Sequence, residues 1–424
     1  MKNSECISQK GLIIGYVWPE PHSSAAGLRT WNLIDTFQKA GCNLTFASPS
    51  HENENAEKLR ASGIRTHSIQ PNDSKFDEFI RNLNPNWVIF DRFVIEEQFG
   101  WRVQENCPQA ARVLDTQDLH FLRRARAQAL KDGAGLEEIV NSNFNWVTED
   151  SLREIASIYR SDQTLLISDF ELNLLVKEFQ VPGNLLYLSR FQYDLPSRTV
   201  PYEDRRNFVM IGNFRHPPNS DGILWFHREI WPLIRKALPT VQVHIYGAYP
   251  PREMMKLHHP DSGFHVLGPT PNQFETLEKY KVNLAPLRFG AGIKGKISDG
   301  WYAGTPAVVT PIGAEGMSEN FPWGGEIALT PQEFAEKAIL LYTNEIRWID
   351  SQIKGRFLLQ ELYSRTQNSQ ALLELILSVQ KNLASLRRSN FTGAMLHHHL
   401  SKSTKYFSKW IEAKNQNAFP IMKA

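Results

Sequence analysis

Between positions 283 and 317 the chain reads NLAPLRFGAGIKGKISDGWYAGTPAVVTPIGAEGM. An apolar run ends at Pro286. A glycine-rich loop follows (Phe289-Gly290-Ala291-Gly292), then Lys294 and Lys296, then a helix-period segment. An anionic diphosphate needs this arrangement. Glycines let the backbone approach, a helix N-terminus offers N–H groups, and lysines add positive charge. Asp299, three residues beyond Lys296, can accept hydrogen bonds from ribose hydroxyls. Glu315, in the turn Gly313-Ala314-Glu315-Gly316-Met317, can hold sugar hydroxyls if that turn lines a cleft. The plainer reading is a strand–loop–helix with surface lysines and a surface glutamate, and the glycines alone do not separate the two.

A second constellation is Leu114-Asp115-Thr116-Gln117-Asp118-Leu119-His120, followed by Arg123, Arg124 and Arg126. It sits where an apolar run gives way to a helical one. His120, with the near-neutral pKa usual for histidine, can bond a sugar hydroxyl or move a proton, and Asp115 and Asp118 are the carboxylates beside it. A lone histidine is more often structural, and the three arginines read most simply as a solvated helix face. A third loop, Pro19-Glu20-Pro21-His22-Ser23-Ser24-Ala25-Ala26-Gly27, precedes a helix with Arg29 in its first turn. It is either a plain connection or a cleft-facing loop. No metal site is expected. Cys6, Cys42 and Cys107 are unpatterned, and the adjacent residues His397, His398 and His399 cannot all reach one ion from a single helix.

The elements that must position these residues follow from periodicity. Strands are predicted at 11–18, 43–47, 64–69, 87–91, 112–115, 165–168 and 185–188, with a helix at 29–40 closed by Gly41. Residues 196–206 (PSRTVPYEDRR) carry two prolines and no apolar period, so they read as a linker. The pattern then restarts, with strands at 207–211, 241–246, 264–267, 282–285 and 307–310. Helices are predicted at 220–238, with Asn219 as N-cap, and at 295–303. Strand–helix alternation means parallel sheets covered on both faces. The class is α/β: two doubly wound Rossmann-like domains in tandem, with ligands at the carboxyl ends of the strands between them. Long helices follow at 331–343, 345–362 and 368–386. The expected division is an N-terminal domain 1–195, a linker 196–206, a C-terminal domain 207–345, helices 346–390 and a basic aromatic tail 391–424.

At 424 residues the chain is too long for one ordinary core, and 42% hydrophobic with 22% charged residues is usual for a folded soluble protein. A net charge of +2 makes no case for nucleic acid. The charge is uneven. Positions 385–424 hold seven Lys/Arg against Glu412 alone, leaving 40 basic and 44 acidic residues before them. In the tail, Met395, Leu396, Leu400, Phe407, Trp410 and Ile411 stand among the basic residues. Such a stretch can lie on an anionic membrane surface, or pack back as a helix. No run reaches membrane-spanning length. The expected location is the cytoplasm, with surface membrane contact as an option.

The 283–317 segment resembles the donor-binding region of glycosyltransferase family 4 (glycosyl transferases group 1). The resemblance rests on Gly290-Ala291-Gly292-Ile293-Lys294-Gly295-Lys296, Asp299, Gly304-Thr305-Pro306 and Gly313-Ala314-Glu315-Gly316. Upstream, Ile211-Gly212-Asn213-Phe214, Pro218-Asn219-Ser220-Asp221-Gly222, Tyr246-Gly247 and Leu267-Gly268-Pro269 resemble the same family in the same order, over about 160 residues in all. The chain departs from the wider family where two glutamates eight apart are common: Ala291 and Asp299 stand there. The resemblance implies a GT-B fold and transfer of a sugar from a nucleotide-sugar donor, with retention at the anomeric carbon and no metal or cofactor. It implies a donor site of Gly27, Gly212, Asn213, Gly268, Gly290, Gly292, Lys294, Lys296, Asp299 and Glu315. His120, Asp118 and Lys294 are the catalytic candidates. Lysines and a helix N-terminus can neutralise a leaving diphosphate, work that a divalent cation does elsewhere. Two other readings stay open: a nucleotide-sugar epimerase or hydrolase on the same scaffold, and a non-catalytic sugar-nucleotide-binding protein. Base, sugar and acceptor (glycan, lipid-linked or small molecule) are not specified by these residues.

Overall fold

The computed structural model describes residues 9–21, 24–196 and 198–418, with the side chains of 399–402 and 416–418 excepted. Cys6, His22, Ser23 and Lys423 lie outside the described residues. Two parallel sheets are present. The first has seven strands: β1 Lys10–Ile14, β2 Asn43–Ser48, β3 Arg65–Ser68, β4 Trp87–Asp91, β5 Ala111–Asp115, β6 Gln163–Leu166 and β7 Leu186–Leu188, in the order β3-β2-β1-β4-β5-β6-β7. The second has six: β8 Arg206–Ile211, β9 Val243–Tyr246, β10 Phe264–Gly268, β11 Tyr280–Ala285, β12 Ala307–Val309 and β13 Gly325–Ile327, in the order β10-β9-β8-β11-β12-β13.

The central strands are apolar on both sides because each sheet is covered on both faces, while the edge strand β3 (RTHS) is largely exposed. In β1, Leu12 and Ile14 enter one cluster with Val88, Phe90, Leu114 and Leu166. Ile13 enters the opposite one with Trp87, Ile89, Val113 and Leu165. That second cluster also takes Leu372, Ile376, Val379 and Leu383. The helix Arg365–Ser389 has therefore returned from the end of the second domain to cover the first sheet. Between the domains, Ile167, Phe191 and Tyr193 pack with Ile293, Ile297, Trp301, Met317 and Leu358. The domains share a core as well as a cleft.

Strand order reverses between β1 and β4 in the first sheet and between β8 and β11 in the second. A crevice opens at such a point, beyond the carboxyl ends of the strands. The loops after β1, β4, β8 and β11 thus start at the reversal points, and the loop after β5 lies beside the first.

One predicted helix is broken. In place of 220–238, a helix runs Pro217–Trp225, one wide π turn covers Phe226–Ile230, and a helix resumes at Trp231–Ala237. Pro217 and Pro218 suit a first turn, where N–H groups have no partner. Pro232 has no N–H to give its own preceding turn, so the turn before it widens. Asn219 is consequently inside the helix and not its cap, which falls on His216. The tail is a 28-residue helix, Phe391–Ala418, laid against the first domain.

Candidate functional site

The helix Gly295–Tyr302 begins directly beyond the glycine loop that follows β11, and Lys294 is its N-cap residue. On the other side of the cleft the helix Ala25–Lys39 begins beyond the loop that follows β1. The two N-termini meet: a Cβ built on Gly295 would lie 3.0 Å from the Ala25 Cβ. The positive ends of two helices converge there, beside two lysines. Lys294 is buried and donates to the Gly292 carbonyl oxygen at 2.6 Å. Lys296 donates to Asn219 Oδ1 at 2.6 Å. Gly212, at the end of β8, makes room for it, since a Cβ there would fall 2.8 Å from Lys296 Nζ. Burial lowers Lys294 to about 8, against the opposing pull of Glu315. Burial, with Lys294 nearby, lowers Lys296 to about 8 as well. Both ammonium groups are short of negative charge, which a diphosphate would supply.

The rim of the second sheet carries the other candidates. Gly212 ends β8, and Gly247 follows β9 and donates to the carbonyl oxygen of Gly268 at the end of β10, at 2.8 Å. Three adjacent strands therefore finish in bare backbone. Asn213 Oδ1 accepts from the Arg215 N–H at 2.8 Å, and its carbonyl oxygen accepts from Asn219 Nδ2 at 2.8 Å. Asp299 is buried, and its Oδ1 accepts from the Tyr193 hydroxyl at 2.7 Å. Burial raises its carboxyl to about 7, with the Tyr193 bond acting the other way. Gly27 packs on the backbone of Glu20, where a Cβ would meet the Glu20 carbonyl oxygen at 2.3 Å, and its N–H donates to Ser24 Oγ at 3.0 Å.

The first domain presses onto the glycine loop that follows β11. Gly292 has φ +62°, and a Cβ on it would come within 2.9 Å of the Asp118 Cβ. Only glycine supplies that backbone at that distance. Its N–H donates to Glu171 Oε1 at 2.8 Å, and the same oxygen accepts from the Leu119 N–H at 2.8 Å. Glu171 thus ties the loop bearing Asp118 and His120 to the loop bearing the lysines. It is fully buried, and burial with Asp118 nearby raises its carboxyl to about 7. Beside it, Arg126 donates to both oxygens of Glu315 at 2.7 Å and to the Gly290 carbonyl oxygen at 2.9 Å.

His120 is the first residue of the helix His120–Lys131. Its ring stands edge-on to Phe93 at 5.4 Å, and its N–H donates to Glu154 Oε1 at 3.2 Å. Its Nε2 lies 3.3 Å from Asp118 Oδ1 without hydrogen-bond alignment and is a buried polar atom with no hydrogen-bond partner among the described residues. Asp118 is paired with Arg123. Burial works against its ionisation, yet Arg123 and His120 hold it at about 2.

Four expectations need correction. His120 does not titrate near neutrality: burial lowers it to about 4 in spite of Asp118, so it is a neutral imidazole at pH 7. Asp115 is not at hand for chemistry. It is buried in an ion pair with Arg29 (2.6 Å) and accepts from Gln117 Nε2 at 3.0 Å. The arginines are not one solvated face. Arg123 and Arg126, one turn apart, point into the cleft, and only Arg124 is exposed, paired with Asp150. Asn219 serves Lys296 and not its own helix end.

Sequence reasoning missed Glu171, Glu154 and His216. Ser168-x-x-Glu171 reads as a local capping box, and Ser168 Oγ does accept from the Glu171 N–H, at 3.5 Å. Nothing in that pattern says that the carboxylate reaches the other domain. His216 follows β8 within the electrostatic reach of Arg123 and Asp118, and burial lowers it to about 4.

Residues 205–344 match the family model described as Glycosyl transferases group 1. An uncharacterized 44.6 kDa protein in the cps region of Klebsiella pneumoniae is 23% identical over 194 residues, covering 44% of this chain and 48% of the other. The matched stretch spans about half the length of that relative. The structure is similar to a glycosyltransferase from Rickettsia africae (TM-score 0.66, 10% identity, 88% of this chain and 99% of that one). It is similar to HepE of Anabaena in complex with UDP and glucose (0.66, 9%, 87% and 100%). It also resembles sucrose-phosphate synthase of Thermosynechococcus elongatus (0.63, 12%, 88% and 99%). The fold is the GT-B arrangement of two facing Rossmann-like domains.

Proposed function

We propose that this protein is a glycosyltransferase that moves a sugar from a nucleotide-sugar donor to an acceptor hydroxyl, with retention of configuration and without a metal ion. The observation that carries the reading is the meeting of two helix N-termini beside Lys294, which is buried, and Lys296, which is half-buried, both held at about 8. In this reading the diphosphate lies between the helix ends, and the nucleoside lies along the glycine rim of β8, β9 and β10. Asp299 holds the ribose, and Glu315 holds the donor sugar once Arg126 releases it. As the acceptor oxygen bonds to the anomeric carbon, the bond to the diphosphate breaks, its electron pair leaves on the diphosphate oxygen, and that oxygen takes the proton of the acceptor hydroxyl. The two ammonium groups and the helix ends stabilise that charge. His120, being neutral, hydrogen-bonds the sugar or the acceptor rather than lending charge. Closure of the cleft through the Glu171 bond to Gly292 and the Arg126 bond to Gly290 keeps water from the reacting carbon.

Metal-independence is supported by this cationic pocket. Among the described residues no group of three His, Cys, Asp or Glu could hold a metal ion. Retention follows from the family resemblance. The sparse cysteines suit the cytoplasm. HepE binds UDP and UDP-glucose, which makes uridine diphosphate sugars the first donors to try.

The test is thermal stabilisation by a panel of UDP-, GDP-, ADP- and dTDP-sugars, followed by nucleoside diphosphate release with and without candidate acceptors. A transferase shows one stabilising donor and release that rises with acceptor. Release that ignores every acceptor indicates a hydrolase, and stabilisation without any release indicates a binding protein.

A further inference from the structure

The final helix, Phe391–Ala418, wears its faces inside out. Its polar groups point to the body. Ser408 is buried and its Oγ lies 3.2 Å from Arg102 Nη2, which also donates to Glu412 Oε1 at 2.6 Å. His397 Nε2 lies 2.9 Å from the Arg160 carbonyl oxygen and 3.0 Å from Arg112 Nη1, and Lys405 pairs with Glu105. The opposite face is apolar and wet. Phe391 is 78% exposed, Tyr406 66%, Phe407 62% and Trp410 58%, with Met395 also exposed. Positions 391, 395, 406 and 410 fall on one side at helical spacing, with Phe407 at its flank, stacked against Trp410 at 5.9 Å between ring centroids. A helix that merely covered the body would turn its apolar side inward.

Cations surround this face. Arg388, Lys409 and Lys414 are exposed, and the Lys414 ammonium sits 5.3 Å from the Trp410 ring centre. A second copy docked through the same face would set these charges against their own kind. An anionic lipid surface complements them, accepting the aromatic rings at headgroup depth and the lysines at its charge. We propose that this face docks the protein on an anionic bilayer.

The helix packs on the first domain, against Arg112 of β5, against the helices Phe93–Asn106 and Glu149–Arg160, and against Asn72 in the loop after β3. The inference is independent of which reaction the cleft performs.

The experiment is co-sedimentation of the full chain with vesicles of phosphatidylcholine alone, or with a quarter phosphatidylglycerol. The wild type should pellet with the anionic vesicles and stay in solution with the neutral ones. Phe407→Ala/Trp410→Ala should weaken pelleting at least tenfold with an unchanged melting temperature, since both rings are exposed. Lys409→Gln and Lys414→Gln should each cost roughly fivefold, about 1 kcal/mol per lysine near an anionic surface. Wild-type protein that stays in solution with anionic vesicles would overturn the proposal. So would a dimer that forms without lipid and is lost in the aromatic double variant, which would assign the face to a second copy.

Discussion

Arg126 and Glu315 form a two-pronged ion pair across the interdomain cleft, with both contacts at 2.7 Å. The arginine comes from the first domain and is almost wholly buried. The carboxylate comes from the turn that is expected to face the donor sugar. Because Arg126 also holds the Gly290 carbonyl oxygen, one side chain fixes both the glycine loop and the turn that bears Glu315. Replacing it by alanine strands a nearly buried carboxylate. The expected cost is about 3–5 kcal/mol of stability, the size seen when one partner of a buried pair is removed. Arg126→Ala/Glu315→Ala should cost clearly less than the sum of the single changes, as read by denaturant unfolding. Additive costs would mean that the two groups do not act as a pair.

His120→Ala should lower turnover about 10²–10⁴-fold while changing nucleoside diphosphate affinity little, because in the proposed reading His120 meets the sugar or the acceptor and not the diphosphate. As His120 is already neutral at pH 7, its presence should add no inflection near pH 6.5 to the rate profile of the wild type. A lower melting point with normal turnover per folded molecule would make the residue structural. A rate inflection near pH 6.5 lost in His120→Ala would show that it does titrate.

Much of the architecture was legible because parallel strands covered on both faces leave an unmistakable record. β4 and the helices Pro331–Thr343 and Glu345–Leu362 begin and end where periodicity puts them. The glycine loop and the helix that starts beyond Lys294 were legible because glycines, lysines and a helix start sit within a dozen residues. Contacts across the cleft were not. Glu171 looks like a capping residue, and Arg126 like one more charge on a basic helix. Each acquires its partner only when two domains far apart in sequence face each other. Burial is likewise invisible in the one-dimensional pattern, so the shift of His120 away from neutrality could not be read from its neighbours.

Affinity for a nucleotide sugar should depend on pH through the lysines. Both stand at about 8 in the free protein, and a bound diphosphate raises them. Binding is therefore at full strength where both are protonated, below about pH 7. It weakens as pH rises through 8 towards 10, by at most tenfold per unit for each lysine. The diphosphate diester has no proton to lose in this range. Calorimetric titrations at pH 6.5, 8 and 9.5 check the trend, and flat affinity across them would remove the lysines from the phosphate site.

Turnover should survive excess EDTA, since two ammonium groups and two helix ends take the place of a cation. The check is product release before and after chelation. Activity lost on chelation and restored by Mg²⁺ or Mn²⁺ would assign the leaving-group charge to a metal instead.

In the proposed reading, the junction of the two helix N-termini binds the diphosphate of the donor through Lys294 and Lys296. The decisive measurement is calorimetry of the wild type, Lys294→Ala and Lys296→Ala with UDP, GDP, ADP and dTDP in EDTA. One base should bind the wild type. Each substitution should weaken it by about 1.5–3 kcal/mol, the worth of a hydrogen bond to a charged group. Binding of the same strength in both variants, or no binding of any nucleoside diphosphate to the wild type, would contradict it.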